Sequence, residues 1–119
     1  MFSEFNNSLD LLNTVSEQDL YQELILQLNK DFSLVGLDYT FLIDQTPIQL
    51  KENLIVIVEN LIKTDFNSYL NLLYRIDISE KKIIRNKTDD LTIYSEKASF
   101  EILKRIWKKV WFRTKYSNY

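Results

Sequence analysis

Asp77 with Glu80 and Asp89 with Asp90 are close groupings of acids in the sequence. Carboxylates grouped in this way could hold magnesium or calcium, which need several oxygens converging on one point. Neither grouping has the glycine that gives a calcium loop its sharp turn. Helix capping and solvated loop charge account for them more simply. Tyr74-Arg75-Ile76-Asp77 places a phenol, a guanidinium and an acid in close sequence. Arg75 could touch a small anion there, but an internal Arg–Asp or Arg–Tyr contact locking a helix end needs no ligand at all.

The chain has no cysteine and no histidine. That removes disulfides, thiolate chemistry, the usual ligands of zinc, copper and haem, and every triad built on imidazole. A di-iron carboxylate bundle needs Glu-x-x-His pairs and is excluded with them. With one glycine there is neither a phosphate-binding P-loop nor a dinucleotide fingerprint. No serine has a nucleophile elbow around it. No catalytic, cofactor-binding or metal-ligating residue is expected, and no cofactor.

One stretch has the character of an interaction surface. Lys97 to Tyr116, KASFEILKRIWKKVWFRTKY, puts Leu103, Ile106, Trp107, Val110 and Trp111 on one face of a helix. Lys97, Lys104, Arg105, Lys108, Lys109 and Lys115 fall on the opposite arc. Phe112 breaks the pattern by sitting among the lysines. The residues expected to meet a partner are Lys104, Arg105, Lys108, Lys109, Phe112 and Arg113. On nucleic acid the same cations, with Lys115, would meet phosphates while Phe112 or Tyr116 stacked on bases. Against that stands a net charge of -2 and a pI near 5.2. A basic amphipathic helix can also lie on an anionic membrane or dock in a partner's groove.

The net charge conceals a split. Residues 1–60 carry ten acids and two bases, Lys30 and Lys51, for -8; residues 61–119 carry seven acids and thirteen bases, for +6. Either the two halves fold onto each other and neutralise one another, or the basic face is kept for an anionic partner.

The elements that must position these groups are helical. One glycine and one proline in 119 residues leave little material for the turns of a sheet-rich fold. Phe2, Phe5, Leu9 and Leu12 suggest a short first helix capped by Ser3. Ser16 reads as a fresh N-cap, with Glu17 and Asp19 in the first turn of a helix reaching Phe32. Gly36 marks a stop. In residues 37–45, Tyr39, Phe41 and Ile43 alternate with Thr40 and Leu42, so a brief strand could form. Thr46-Pro47-Ile48-Gln49 is a capping box opening a helix to about Lys63. Leu50, Leu54, Ile57 and Leu61, widened by Ile48, Ile55, Val58 and Ile62, make it apolar over so wide an arc that it should be central. Asp65 caps a further helix to Ile76. Ser79 and Glu80 could begin a turn anchored by Ile83 and Ile84. Residues 86–90 form a loop, and Thr88 or Asp89 caps the last helix. Asn29-Lys30-Asp31-Phe32 and Lys63-Thr64-Asp65-Phe66 lie 34 residues apart, but helix-end chemistry explains the similarity better than a repeat.

Three stretches taken together, LNKDF at 28–32, YLNLLYRIDIS at 69–79 and ILKRIWKKVW at 102–111, resemble a group of small uncharacterised helical proteins from Bacteroidetes-type bacteria. The resemblance spans about residues 18–116. It implies a compact cytoplasmic helical domain and carries no site residue with it.

The expected fold is all-α, a compact bundle of four to five helices with the C-terminal helix longest. It forms one domain over residues 1–119, within which residues 1–15 could be a separate docking helix. No secretory leader or membrane span is evident, so a cytoplasmic location is expected. The expected function is that of a non-enzymatic adaptor or regulatory protein acting through protein–protein contacts, with another protein or a second copy as partner. Nucleic-acid binding through the basic helix is the alternative, and an enzyme working without histidine or cysteine is a third.

Overall fold

Among the described residues, side-chain caps open four of the five helices, and left-handed residues close three. The structure, a computed structural model, describes residues 5–79, 81 and 90–116. Five helices occur among these: α1 (Ser8–Glu17), α2 (Tyr21–Leu34), α3 (Pro47–Thr64), α4 (Phe66–Arg75) and α5 (Leu91–Tyr116). The all-α expectation holds, and α5 is the longest helix, with 26 residues.

The capping box at Thr46 forms as read. Thr46 Oγ1 accepts from the Gln49 amide at 3.2 Å, and Gln49 Oε1 accepts from the Thr46 amide at 2.9 Å. Asp65 has two jobs. Its amide donates to Leu61 O at 2.8 Å, ending α3, and its carboxylate accepts from the Ser68 amide and hydroxyl, opening α4. α5 is opened by Asp90, whose Oδ1 accepts from the Ile93 amide at 3.1 Å. The expected caps Ser3, Thr88 and Asp89, and the anchor Ile83–Ile84, lie outside the described residues.

Ser16 is a correction. It does not start a helix; it lies inside α1, which Asn7 caps through the Asp10 amide at 2.9 Å. α1 ends at Asp19, a non-glycine residue with φ 57. Asp19 N donates to Ser16 O and Leu20 N to Val15 O, closing the last turn in a left-handed cap. α2 ends in the same way at Gly36, φ 79, and α4 at Asp77, φ 66. With one glycine available, aspartate takes the left-handed position at the other two stops. Its short polar side chain makes it one of the few residues that tolerate that conformation.

The strand considered for residues 37–45 is absent; no residue among those described is in a strand. Phe41 is buried, and its backbone is satisfied by one side chain. Asn29 Nδ2 donates to Phe41 O at 2.9 Å, and Phe41 N donates to Asn29 Oδ1 at 2.7 Å. An amide on α2 thus takes the place of a neighbouring strand.

Leu11, Leu12, Val15, Leu24, Ile25, Leu28, Phe32, Leu50, Leu54, Val58, Leu72 and Ile106 have no exposed surface. α5 packs most extensively on α3 and also touches α1 and α2. At ten residues α1 is too short to be helical alone. Its three buried apolar side chains, Leu11, Leu12 and Val15, supply roughly 5 kcal/mol or more when removed from water, so packing holds it in place. The expected stripe of α3 needs revision: Leu50, Leu54, Val58 and Leu61 are buried, Ile57 is half-buried, and Ile48 and Val56 face outward. α3 is central, touching α1, α4 and α5, yet it carries more apolar residues than its neighbours cover.

Candidate functional site

Asp31 is fully buried in α2, and both of its oxygens are engaged. Oδ1 accepts from Arg75 Nε on α4 at 3.2 Å, and Oδ2 accepts from Lys109 Nζ on α5 at 2.9 Å. One and two turns before it on the same helix face stand Gln27 and Glu23. Arg113 donates to Gln27 Oε1 and lies 3.9 Å from Glu23. Arg105 pairs with Asp77 at 3.4 Å, and Lys104 with Glu101 at 3.0 Å. Lys104, Arg105, Lys109 and Arg113, four of the six residues expected to meet a partner, therefore have an acid of this chain within ion-pair distance. The acidic first half and the basic second half meet along the α2–α5 contact. Lys108 lines a cleft described below.

Three stretches far apart in sequence, 28–32, 69–79 and 102–111, converge here. Asp31 comes from the first, Arg75 and Asp77 from the second, and Arg105 and Lys109 from the third. Arg75 does lock a helix end internally, but its acid is Asp31 on another helix. Asp31 and Asp65, the matching acids of the two similar tetrapeptides, have unrelated roles: one is a buried ion-pair centre, the other a helix cap.

Phe112 is exposed. Its ring meets Trp111 edge-on at 5.2 Å and stacks on Tyr116 at 5.7 Å, forming an aromatic row at the end of α5. Lys115 lies 5.8 Å above the Trp111 ring.

Two clefts stand out by their linings. One, of about 540 Å³, lies between the end of α4 and the middle of α5, and is lined by Tyr74, Asp77, Ser79, Glu101, Lys104, Arg105 and Lys108. Its lining is of mixed charge, with Ile78 among the apolar contributors. Among the described residues no three acids are grouped to hold a metal ion.

The other cleft, of about 560 Å³, is a groove between residues 39–45 and α3. Tyr39, Leu42 and Val56 stand at its edges and Ile57 contributes to its wall. Leu42 is 68% exposed and Val56 57%. The loop is nonetheless firmly fastened. Besides the two bonds from Asn29 to Phe41, the Tyr21 hydroxyl donates to Gln45 O at 2.6 Å. Gln45 Nε2 donates to Leu42 O at 2.9 Å, and Asn53 Nδ2 donates to Gln45 Oε1 at 2.8 Å. Phe41 is wedged edge-on against Phe32 at 5.3 Å. Burial pushes the Tyr21 phenol up to about 12, so it stays a neutral donor at ordinary pH. These bonds hold the backbone of a loop that buries Phe41 and leaves Tyr39, Leu42 and Ile43 exposed.

Sequence reasoning gave no functional role to Leu42, Val56, Asn29, Gln45 or Asn53. The visible signals were the alternation around Phe41, which turned out to mark one side chain in and its neighbours out, and the excess of apolar residues on α3.

Comparison with protein-family models, with curated proteins and with solved structures finds no match for this chain.

Proposed function

We propose that the protein is a non-enzymatic interaction module, a small cytoplasmic adaptor or regulatory protein that works by protein–protein contact through the groove between residues 39–45 and α3. The observation that carries the reading is the contrast between backbone and side chains in that loop. A backbone fastened by Tyr21, Asn29, Gln45 and Asn53 presents Leu42 outward at 68% exposure, in a groove that the exposed Val56 also lines. An apolar surface held rigid before binding loses little conformational entropy on association. Exposed apolar side chains that gather rather than scatter are a mark of contact surfaces.

The reading moves the contact surface away from the basic arc of α5. Lys109 and Arg113 are turned to α2, and Arg105 and Lys104 have acids beside them. Phosphates would have to displace those acids, which lowers the gain from each contact. Among the described residues no helix is long and apolar enough to cross a membrane.

The test is site-specific photo-crosslinking in cells, with the photoreactive residue placed at Leu42, at Val56 or, as a control, at the exposed Lys30. Discrete protein adducts from the two groove positions and none from the control are expected. Adducts that are absent, or the same from all three positions, refute the reading.

A further inference from the structure

The groove's lining is uncharged, and the charged residues next to its loop and helix positions in sequence are mostly acids. Between Lys30 and Lys51 the chain has no lysine or arginine, while Asp38 and Asp44 flank the exposed loop residues. Glu52, also exposed, lies on α3 one turn from both Gln49 and Val56, which line the groove. Lys51, the nearest base in sequence, lines a different cleft with Asn7, Ile55 and Phe100. The pattern is therefore Tyr39, Leu42 and Val56 for apolar contact, with acids beside them.

Resting on the interaction reading above, we infer that the groove takes a cationic amphipathic helix of another protein: apolar side chains enter between Leu42 and Val56, and lysines or arginines on its flanks face Asp38, Asp44 and Glu52. Charge complementarity selects this occupant over the others. A second copy seated by two-fold symmetry would set the same acids against each other, because such an interface pairs a patch with itself. Phosphate-bearing partners, whether nucleic acid or an anionic lipid surface, meet repulsion from the same three carboxylates. An acidic partner segment is disfavoured for that reason too. The volume of about 560 Å³ suits a few side chains from one or two helical turns, not a whole domain face.

The test is fluorescence anisotropy of a labelled model amphipathic helix built from leucine and lysine, beside twins in which glutamine or glutamate replaces every lysine. The full chain binds the lysine peptide. Leu42→Ser with Val56→Ser weakens binding at least about tenfold, since apolar anchors at the centre of a contact dominate its energy. Asp44→Lys with Glu52→Lys weakens it about as much and flattens its dependence on salt. All four positions are exposed, so folding is retained, and circular dichroism checks it. Equal binding of the lysine peptide by wild type and by the Leu42/Val56 variant means charge attraction alone and overturns the proposal. Equal or tighter binding of the glutamine or glutamate twin also overturns it, but leaves the groove as a contact surface. A wild-type dimer in sedimentation that the groove variant abolishes assigns the groove to a second copy and overturns it as well. If no peptide binds, the cationic class is wrong, while crosslinking at Leu42 separately decides the interaction reading.

Discussion

Replacing Asp31 with asparagine exchanges a buried carboxylate that accepts from two cations for an amide whose NH2 must face one of them. The two lost charge-assisted bonds, to Arg75 and Lys109, are each worth about 1.5–3 kcal/mol. Part of that returns, because the variant no longer pays to dehydrate a charge. Part of the remaining cost is also relieved by water, since the Arg75 side chain is 41% exposed and that of Lys109 24%. The net loss is about 2 kcal/mol. With a urea slope of roughly 1.5 kcal/mol/M for a chain of this size, the unfolding midpoint falls by about 1.3 M. Trp107 and Trp111 flank Lys109 on α5, so their fluorescence reports on the helix that loses its anchor. Combined with Lys109→Gln, the double variant is less destabilised than the sum of the single ones by about 1 kcal/mol. A midpoint shift below about 0.3 M, or strict additivity, would show that Asp31 is not the electrostatic centre of the α2–α4–α5 junction. A buried ion pair is weak proof of net stability compared with an apolar replacement. The expectation concerns the cost of leaving two cations facing a neutral group.

Three further outcomes can be checked by the same denaturation assay. Asp19→Gly raises stability by about 0.5–1 kcal/mol, because glycine bears φ 57 without strain, and a loss would refute the left-handed cap. Gly36→Ala lowers it by about 1 kcal/mol. An added Cβ there meets nothing within 4 Å, so the cost is backbone alone. Ser99→Ala raises it by about 1 kcal/mol, since the Ser99 hydroxyl is buried without a hydrogen-bond partner among the described residues and alanine is the better helix former. Alkali gives the last outcome. The Tyr21 phenol is raised from 10.0 to about 12 in the folded chain, so its contribution is full below pH 10. The contribution is lost as pH climbs toward 12, where the unfolded chain releases the proton and the folded one keeps it. Tyr21→Phe makes the unfolding midpoint less steeply dependent on pH across that window, and an unchanged slope would assign the loss to other groups.

The parts of this fold that could be read from sequence are those decided within a few residues. Thr46 and Gln49 satisfy each other across one turn, and Asp65 sits at the end of one apolar run and the start of the next. The misreading at Ser16 has a local cause of another kind. An aspartate in a left-handed stop looks like an aspartate in a first turn, because both follow a serine and precede leucines. The wide apolar arc of α3 gave its central place but not its uncovered part, since the number of neighbours a helix has is a property of the whole packing. The basic arc of α5 was visible as a pattern. That Lys109 and Arg113 turn to α2 depends on contacts 78 and 86 residues distant in sequence. The groove was hidden for the same reason, because it exists only when Asn29 of α2 and Asn53 of α3 fasten one loop from two sides.

The 78-residue separation of Asp31 from Lys109 also bears on the order in which the chain can fold. As the chain leaves the ribosome, α1 to α4 are available well before α5. α3 and α4, joined at Asp65, can pair early because their contacts are local. Arg75 on α4 can engage one Asp31 oxygen before α5 emerges, but the other oxygen has no cation until Lys109 arrives, so burying this face of α2 is costlier without α5. Closure then waits for the helix that brings both Lys109 and the apolar side chains Ile106 and Val110. The last helix to be made therefore completes the ion pair and the apolar core in one step.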